Sequence, residues 1–210
     1  MGILPEAMVN YLATLGWSIP DSVIKEHKQQ GLAEEVISLA ELISYFDLSN
    51  VKSSAPIFNI EKLKWLNGEY IRNLSDGQLT GKLAEFFKQE PDMDLLKKLA
   101  PLAKERMKTL SEFSHYFQPF VSYRKSKLSP KDQEVVKLFI DSLAKLPDWR
   151  TETLQTASKE TVAARDLSLR QALMALRIAV TGEKVGLPLF ETMAILGKDQ
   201  TLIRLTQAVS

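Results

Sequence analysis

The sequence predicts an all-α fold of consecutive helical subdomains, and three observations carry that prediction. Apolar residues recur at i, i+3, i+4 and i+7 in one segment after another, the spacing of a single helix face. Strand-type alternation is scarce. Serine, asparagine and aspartate stand just ahead of the periodic stretches, where their side chains can accept from the first free amides of a helix. The 210 residues are 45% hydrophobic and 25% charged, ordinary for a globular protein, and that length suits one large domain or about two to three small ones.

The first expected helix runs from Leu4 to Leu15, with Leu4, Ala7, Met8, Tyr11, Leu12 and Leu15 on its inner face and Gly16 as its cap. Only three residues precede it, whereas free termini usually fray. The start therefore reads as that of a piece of a longer protein, with Met1-Gly2 an added beginning. Ser18 to Gly31 reads as a connection with a short helix. Ser38 and Glu41 form a capping box that opens a helix through Phe46. Asp47 to Pro56 reads as loop, and Asn59 caps a helix whose core residues are Trp65, Leu66 and Ile71. Asn67 and Tyr70 on that helix fit buried capping or packing roles. Ser75-Asp76-Gly77 is a break.

A helix follows over Leu79 to Phe87, with a stop at Pro91. Asp92 or Asp94 caps the next, Leu95 to Leu110, despite Pro101. Ser111 to Tyr123 is aromatic and helical, and Arg124 to Pro130 is basic and serine-rich. Pro130, suited to a first turn, opens a helix to Leu146. Trp149 to Ala157 and Thr161 to Val180 read as helices, Gly182 to Pro188 as a loop, and Leu189 to Gln207 as the last helix. The breaks divide the chain into expected blocks 1–75, 76–128 and 129–210.

Composition removes several function classes. With no cysteine there is no disulfide, thiolate metal site or cysteine nucleophile. No apolar run approaches the roughly 20 residues of a membrane helix, and no secretory signal is visible. A cytoplasmic setting fits. His27 and His115 lie far apart and outside any zinc-ligand motif, the glycines are scattered singly, and no GxSxG elbow occurs. Glu34-Glu35 and the Asp92/Asp94 pair fit a solvated helix face and a helix N-terminus. No catalytic or metal-binding residue is expected.

The formal charge is only +1, yet Lys97 to Lys127 holds eight basic residues against Glu105 and Glu112. Exposed charges act within about 8 Å at physiological salt, so local density outweighs the total. On a continuous helix Lys97, Lys104 and Lys108 could align while Arg106 faces elsewhere. Tyr116, Phe117, Phe120 and Tyr123 follow closely. Lysines holding phosphates beside aromatic rings that stack bases is how single-stranded RNA is bound, although aromatics at this spacing also serve as core. The residues alone thus leave open an RNA-binding module and an all-α protein-interaction module.

Four stretches narrow the choice: LPEAMVNYLATLGWS (4–18), SLAELISYFDLSNV (38–51), FNIEKLKWLNGEYIR (58–72) and LRIAVTGEKVGLPLFETMAILGKDQTLIRL (176–205). In this order they resemble bacterial-type glutamyl-tRNA synthetase over almost the whole chain. The resemblance implies the C-terminal part of that enzyme: a stem-contacting helical subdomain followed by two anticodon-binding subdomains. The ATP and magnesium of glutamate activation would belong to a catalytic domain beyond this chain, so no cofactor is expected here. The implied partners are tRNA(Glu), with tRNA(Gln) a further candidate, and that catalytic domain. A monomer is expected.

The resemblance also assigns residues. Arg106, in LAKERMKTLSEF (102–113), takes the place of the family's arginine at the first anticodon base. Arg177 takes that of the arginine near the second and third bases, and Gly186, Leu187, Pro188 and Leu189 that of the backbone packed on them. A guanidinium suits base reading because it is always charged, planar and able to make paired hydrogen bonds. Lys104, Lys108, Arg124, Lys125 and Lys127 are the expected phosphate contacts. The chain departs from the family in having Ala175 where proline is usual and a different order of glycine and proline in VGLPLFE.

Overall fold

The computed structural model describes residues 1–31, 33–51, 57–87, 92–165 and 167–210. Among these are twelve α-helices, two short 3₁₀ turns and no strand, so the all-α expectation holds. The chain forms two compact units, Met1–Phe113 and Ser114–Ser210.

In the first unit, α1 (Pro5–Gly16) buries Ala7, Asn10 and Tyr11 against α4 (Ile60–Asn73). Leu12, expected inside, is 53% exposed, because the buried stripe centres on Tyr11 and the next residue lies about 100° around the helix. Gly16 is the last helical residue and the extended Trp17 follows as the cap. Between them come α2 (Asp21–Gln29) and α3 (Leu39–Tyr45), the latter opened by the expected capping box. Ser38 Oγ accepts from Glu41 N at 3.2 Å, and Glu41 Oε2 accepts from Ser38 N at 2.8 Å. A 3₁₀ turn follows at Leu48–Asn50. The remainder of the expected loop up to Pro56 lies partly outside the described residues.

Asn59 caps α4 as expected, its Oδ1 accepting from Glu61 N and Lys62 N. Leu63, Leu66, Asn67 and Ile71 face inward, whereas Trp65 is 37% exposed on the helix edge. Asn10, Tyr70 and Ile37 knot three segments together. Asn10 Oδ1 accepts from Ile37 N at 2.9 Å, and the Tyr70 hydroxyl donates to Ile37 O at 2.6 Å. Burial, helped by the Glu41 and Glu6 carboxylates, pushes the Tyr70 phenol up to about 12. The neutral form is therefore favoured on folding: its contribution is complete below pH 10 and is lost as pH rises towards 12. Tyr70→Phe should cost about 1–2 kcal/mol at neutral pH and flatten the alkaline loss of stability, as read by urea unfolding across a pH series.

At the Ser75 break, α5 (Asp76–Phe87) begins at once rather than at Leu79. Ser75 Oγ accepts from Gln78 N and Gln78 Oε1 from Ser75 N, a reciprocal cap that turns the break into a helix start. The expected stop at Pro91 lies outside the described residues. Asp92 caps α6 (Met93–Lys104), which packs on α5. This helix ends six residues before the expected Leu110. Arg106 N and Met107 N both donate to Ala103 O, and Met107 is wholly buried, so core packing draws the chain off the helical path. Lys108 is thus not on the helix with Lys97 and Lys104. A 3₁₀ turn at Leu110–Glu112 leads into α7 (Phe113–Val121).

The second unit is a bundle of α8 (Pro130–Ala144), α9 (Thr151–Ala163), α10 (Leu169–Thr181), α11 (Leu189–Leu196) and α12 (Lys198–Val209). Val136, Phe139, Leu143, Leu154, Leu176, Val180, Met193 and Leu205 form its core. The expected helix over Thr161 to Val180 is two helices. Leu167 N closes the end of α9 on Val162 O, and α9 runs without a break past the expected end at Ala157. The last expected helix is also two, separated at Gly197.

Candidate nucleic-acid interface

The eight basic residues of the sequence cluster divide between the units, Lys97 to Lys108 in the first and Arg124 to Lys127 in the second. In the first unit Lys104 is mostly covered and lies 3.5 Å from Asp76 Oδ1. Arg106 and Lys108 are exposed on the turn after α6.

In the second unit the C-terminal end of α10 organises the other expected residues. A helix leaves its last carbonyls without internal partners, and here several carbonyls near the end find donors from side chains or from the cap. Arg177 O accepts from Thr181 Oγ1 at 2.8 Å, Ile178 O from Gly182 N at 2.8 Å, Ala179 O from the Tyr123 hydroxyl at 2.8 Å, and Val180 O from Arg204 Nη1 at 2.9 Å. Arg204 is 6% exposed and its guanidinium carbon lies 4.7 Å from the centre of the Tyr123 ring. Burial pulls the Arg204 pKa down, with Tyr123 opposing; burial pushes the Tyr123 phenol up, with Arg204 opposing. A cation at a helix C-terminus also complements the negative end of the helix dipole.

These bonds lay the segment after Tyr123 along the loop after α10. Ser126 Oγ donates to Gly182 O at 2.5 Å. Arg124, Lys125 and Lys127 are exposed. The loop is itself held at several points: Glu183 N donates to Thr181 Oγ1 at 3.1 Å, Arg177 Nη1 donates to Leu187 O at 2.6 Å, and Thr192 Oγ1 donates to Pro188 O at 2.8 Å. Leu187 and Leu189 point into the core at 3% and 6% exposure. Gly186 and Pro188 between and beside them are half-buried. Arg177 is thus half-buried and grips the loop at Leu187.

Beside this loop lie two cavities of about 430 Å³ and 230 Å³ that share His115 and Glu183. Ser126, Lys127 and Lys184 line the larger, and Arg124 and Gln118 the smaller. Tyr116, Phe117 and Phe120 are half-buried on α7. A cavity of about 620 Å³, lined by Lys131, Arg170 and Met174 among others, opens at the other end of α10. The surface near 182–188 therefore combines exposed cations, a fixed backbone and a concave wall, the ingredients for holding a phosphodiester chain with unstacked bases.

The family described as anticodon binding domain matches residues 78–209. The chain belongs to that family. Over its full length the chain is 34% identical to a glutamate–tRNA ligase of Pseudomonas putida, of which it spans 42%. It superposes with a TM-score of 0.81 and 25% identity on a glutamate tRNA ligase of Elizabethkingia meningosepticum, solved in complex with its amino acid, covering 99% of this chain and 41% of that one. A glutamate–tRNA synthetase of Elizabethkingia anophelis gives 0.78, again at 25% identity and with 41% of that chain covered. More than half of each relative therefore has no counterpart in these 210 residues. No helix among the described residues is long and apolar enough to cross a membrane, and no cluster of His, Asp and Glu suited to a metal ion occurs among them.

Of the expected residues, the fold brings Arg177, the 186–189 loop and the Arg124–Lys127 segment together in one unit, and sets Lys104, Arg106 and Lys108 in the other. Sequence reasoning missed Tyr123, Ser126 and Arg204 as the residues that fix the basic segment to the loop. A signal for Arg204 was present: it follows Thr201 by one turn and precedes Leu205, so an arginine sits on the apolar stripe of its helix.

Proposed function

We propose that this chain recognises tRNA(Glu) by its anticodon, as the selection part of a glutamate–tRNA ligase. The observation that carries this reading is the anticodon-binding family match over 78–209. The relatives' shared name supplies the glutamate specificity. In this reading Arg106 reads the first anticodon base, while Arg177 and the 186–189 backbone take the second and third. Lys104, Lys108, Arg124, Lys125 and Lys127 hold phosphates. The chain acts as a monomer by binding and positioning, in the cytoplasm. ATP and magnesium act in the part of the ligase that these residues do not span. The blocks 1–75, 76–128 and 129–210 take the stem-contact and two anticodon-binding roles.

Arg106→Gln should lower discrimination between tRNA(Glu) and a first-anticodon-base variant by about 1–3 kcal/mol, measured by titrating labelled transcripts at fixed salt. Wild-type affinity should fall steeply as salt rises, since phosphate contacts release counterions. Salt-insensitive, weak binding of every transcript would reject the reading.

A further inference from the structure

The turn that carries Arg106 is held with unusual completeness. Lys108 has both backbone groups bonded to side chains: Asn67 Nδ2 donates to Lys108 O at 2.6 Å, and Lys108 N donates to Glu112 Oε2 at 2.8 Å. On the other side of Arg106, Ala103 O accepts from both Arg106 N and Met107 N. Met107 is wholly buried, and Thr109, 3% exposed, shares a hydrogen bond with Ser111 at 3.0 Å. Arg106 is thus an exposed residue on a backbone fixed at 106, 107 and 108.

Asn67 reaches further than the turn. It is wholly buried on α4, and its Oδ1 accepts from Leu4 N at 2.7 Å while Nδ2 also donates to Gly2 O at 3.4 Å. Gly2 O accepts in addition from Leu110 N at 2.9 Å. A Cβ at Gly2 would stand 2.6 Å from Ser111 N, and its φ is +75°, so only glycine lets this segment lie on the 110–111 backbone. One amide therefore joins the N-terminal segment, α4 and the Arg106 turn.

We infer that Asn67 and Glu112 are positioning residues for base recognition by Arg106, acting by holding the 105–109 turn in its bound-state conformation before RNA arrives. This rests on the reading of Arg106 as an anticodon contact. Ordering a residue's backbone is costly, and a contact made from an already ordered turn keeps that cost out of binding. Two side chains that touch no RNA thereby set how sharply one base is read.

Glu112 gives the cleaner test, because it lies near the surface whereas Asn67 is in the core. Glu112→Gln and Glu112→Ala remove the same charge, but only glutamine keeps an acceptor for Lys108 N–H. In the 210-residue chain, Glu112→Ala should lower discrimination between tRNA(Glu) and its first-base variant by about five-fold. Glu112→Gln should stay within about two-fold of wild type, and amide exchange at Lys108 should rise only in the alanine variant. Asn67→Ser should act in the same direction. In an Arg106→Ala background Glu112→Ala should have no further effect on discrimination, which separates positioning from general destabilisation. Loss of melting temperature with unchanged discrimination, or an undiminished effect without Arg106, would overturn the inference while leaving the anticodon reading intact. Unchanged discrimination in Arg106→Ala itself would overturn both.

Discussion

Gly182→Ala should destabilise the second unit by about 3–5 kcal/mol and detach the basic segment 124–127 from the loop it lies on. Gly182 caps α10 with φ +80°, a left-handed conformation that costs a residue with a Cβ about 1–2 kcal/mol. The steric term is larger. A Cβ there would stand 2.2 Å from Arg124 O, a backbone atom that cannot rotate away. Moving Arg124 strains the bonds on either side, Tyr123 to Ala179 O and Ser126 to Gly182 O, each worth about 1 kcal/mol. Gly81→Ala is the control: it lies within α5 with nothing within 4 Å of an added Cβ, and should stabilise by about 0.5–1 kcal/mol. Amide exchange over 122–128 and 178–188 reads the local effect, and tRNA titration at fixed salt reads the functional one. Unchanged protection of those segments in Gly182→Ala would show that the close approach is dispensable.

Glycine at 182 illustrates what was legible in the sequence. The loop from Gly182 to Pro188 could be drawn from glycine and proline alone, since those residues restrict or permit backbone angles locally. The caps at Ser38, Asn59 and Asp92 were equally legible, because each acts within three residues of itself. The boundaries that failed were set by distant partners. Helix α6 stops at Lys104 because Met107 is buried and a side chain on α4 takes the Lys108 carbonyl, and no local propensity encodes that. Likewise the helix expected to end at Ala157 continues through Ala163, where burial of Ser158 and Val162 overrides their weak helix preference.

The candidate site divides in the same way. Residue types and order indicated Arg106, Arg177 and the 186–189 loop through family resemblance. The packing around them was invisible, since Asn67 and Lys108 are 41 residues apart and Tyr123 and Ala179 are 56 apart. Arg177 was read as a base contact, but its guanidinium also supports the loop at Leu187 O. A change there would move the loop as well as remove a charge, so Arg106 is the better residue for isolating base reading.

Arg204→Met should destabilise the second unit by about 2–4 kcal/mol, although methionine removes a buried charge. Two effects oppose. Withdrawing a guanidinium from water carries a penalty of several kcal/mol per ion, and an apolar replacement returns it. Against this, Arg204 donates to Val180 O inside the core, stacks on Tyr123 at 4.7 Å and places a cation at the α10 C-terminus. These are worth about 1.5–3, up to about 2 and up to about 2 kcal/mol respectively. The balance favours arginine, because methionine leaves the Val180 carbonyl buried with no replacement donor, the costly half of breaking a hydrogen bond. Arg204→Lys should recover only part of the loss, since an ammonium lacks the planar face that lies on the ring. A second readout follows from Tyr123. Its phenol is already raised by burial, and Arg204 alone pulls it back. In Arg204→Met one of the five tyrosines should therefore titrate at higher pH than in wild type, seen by tyrosinate absorbance. Urea unfolding at neutral pH decides the energetic question: equal or greater stability of the methionine variant would mean that desolvation, not the bond to Val180, dominates at this position.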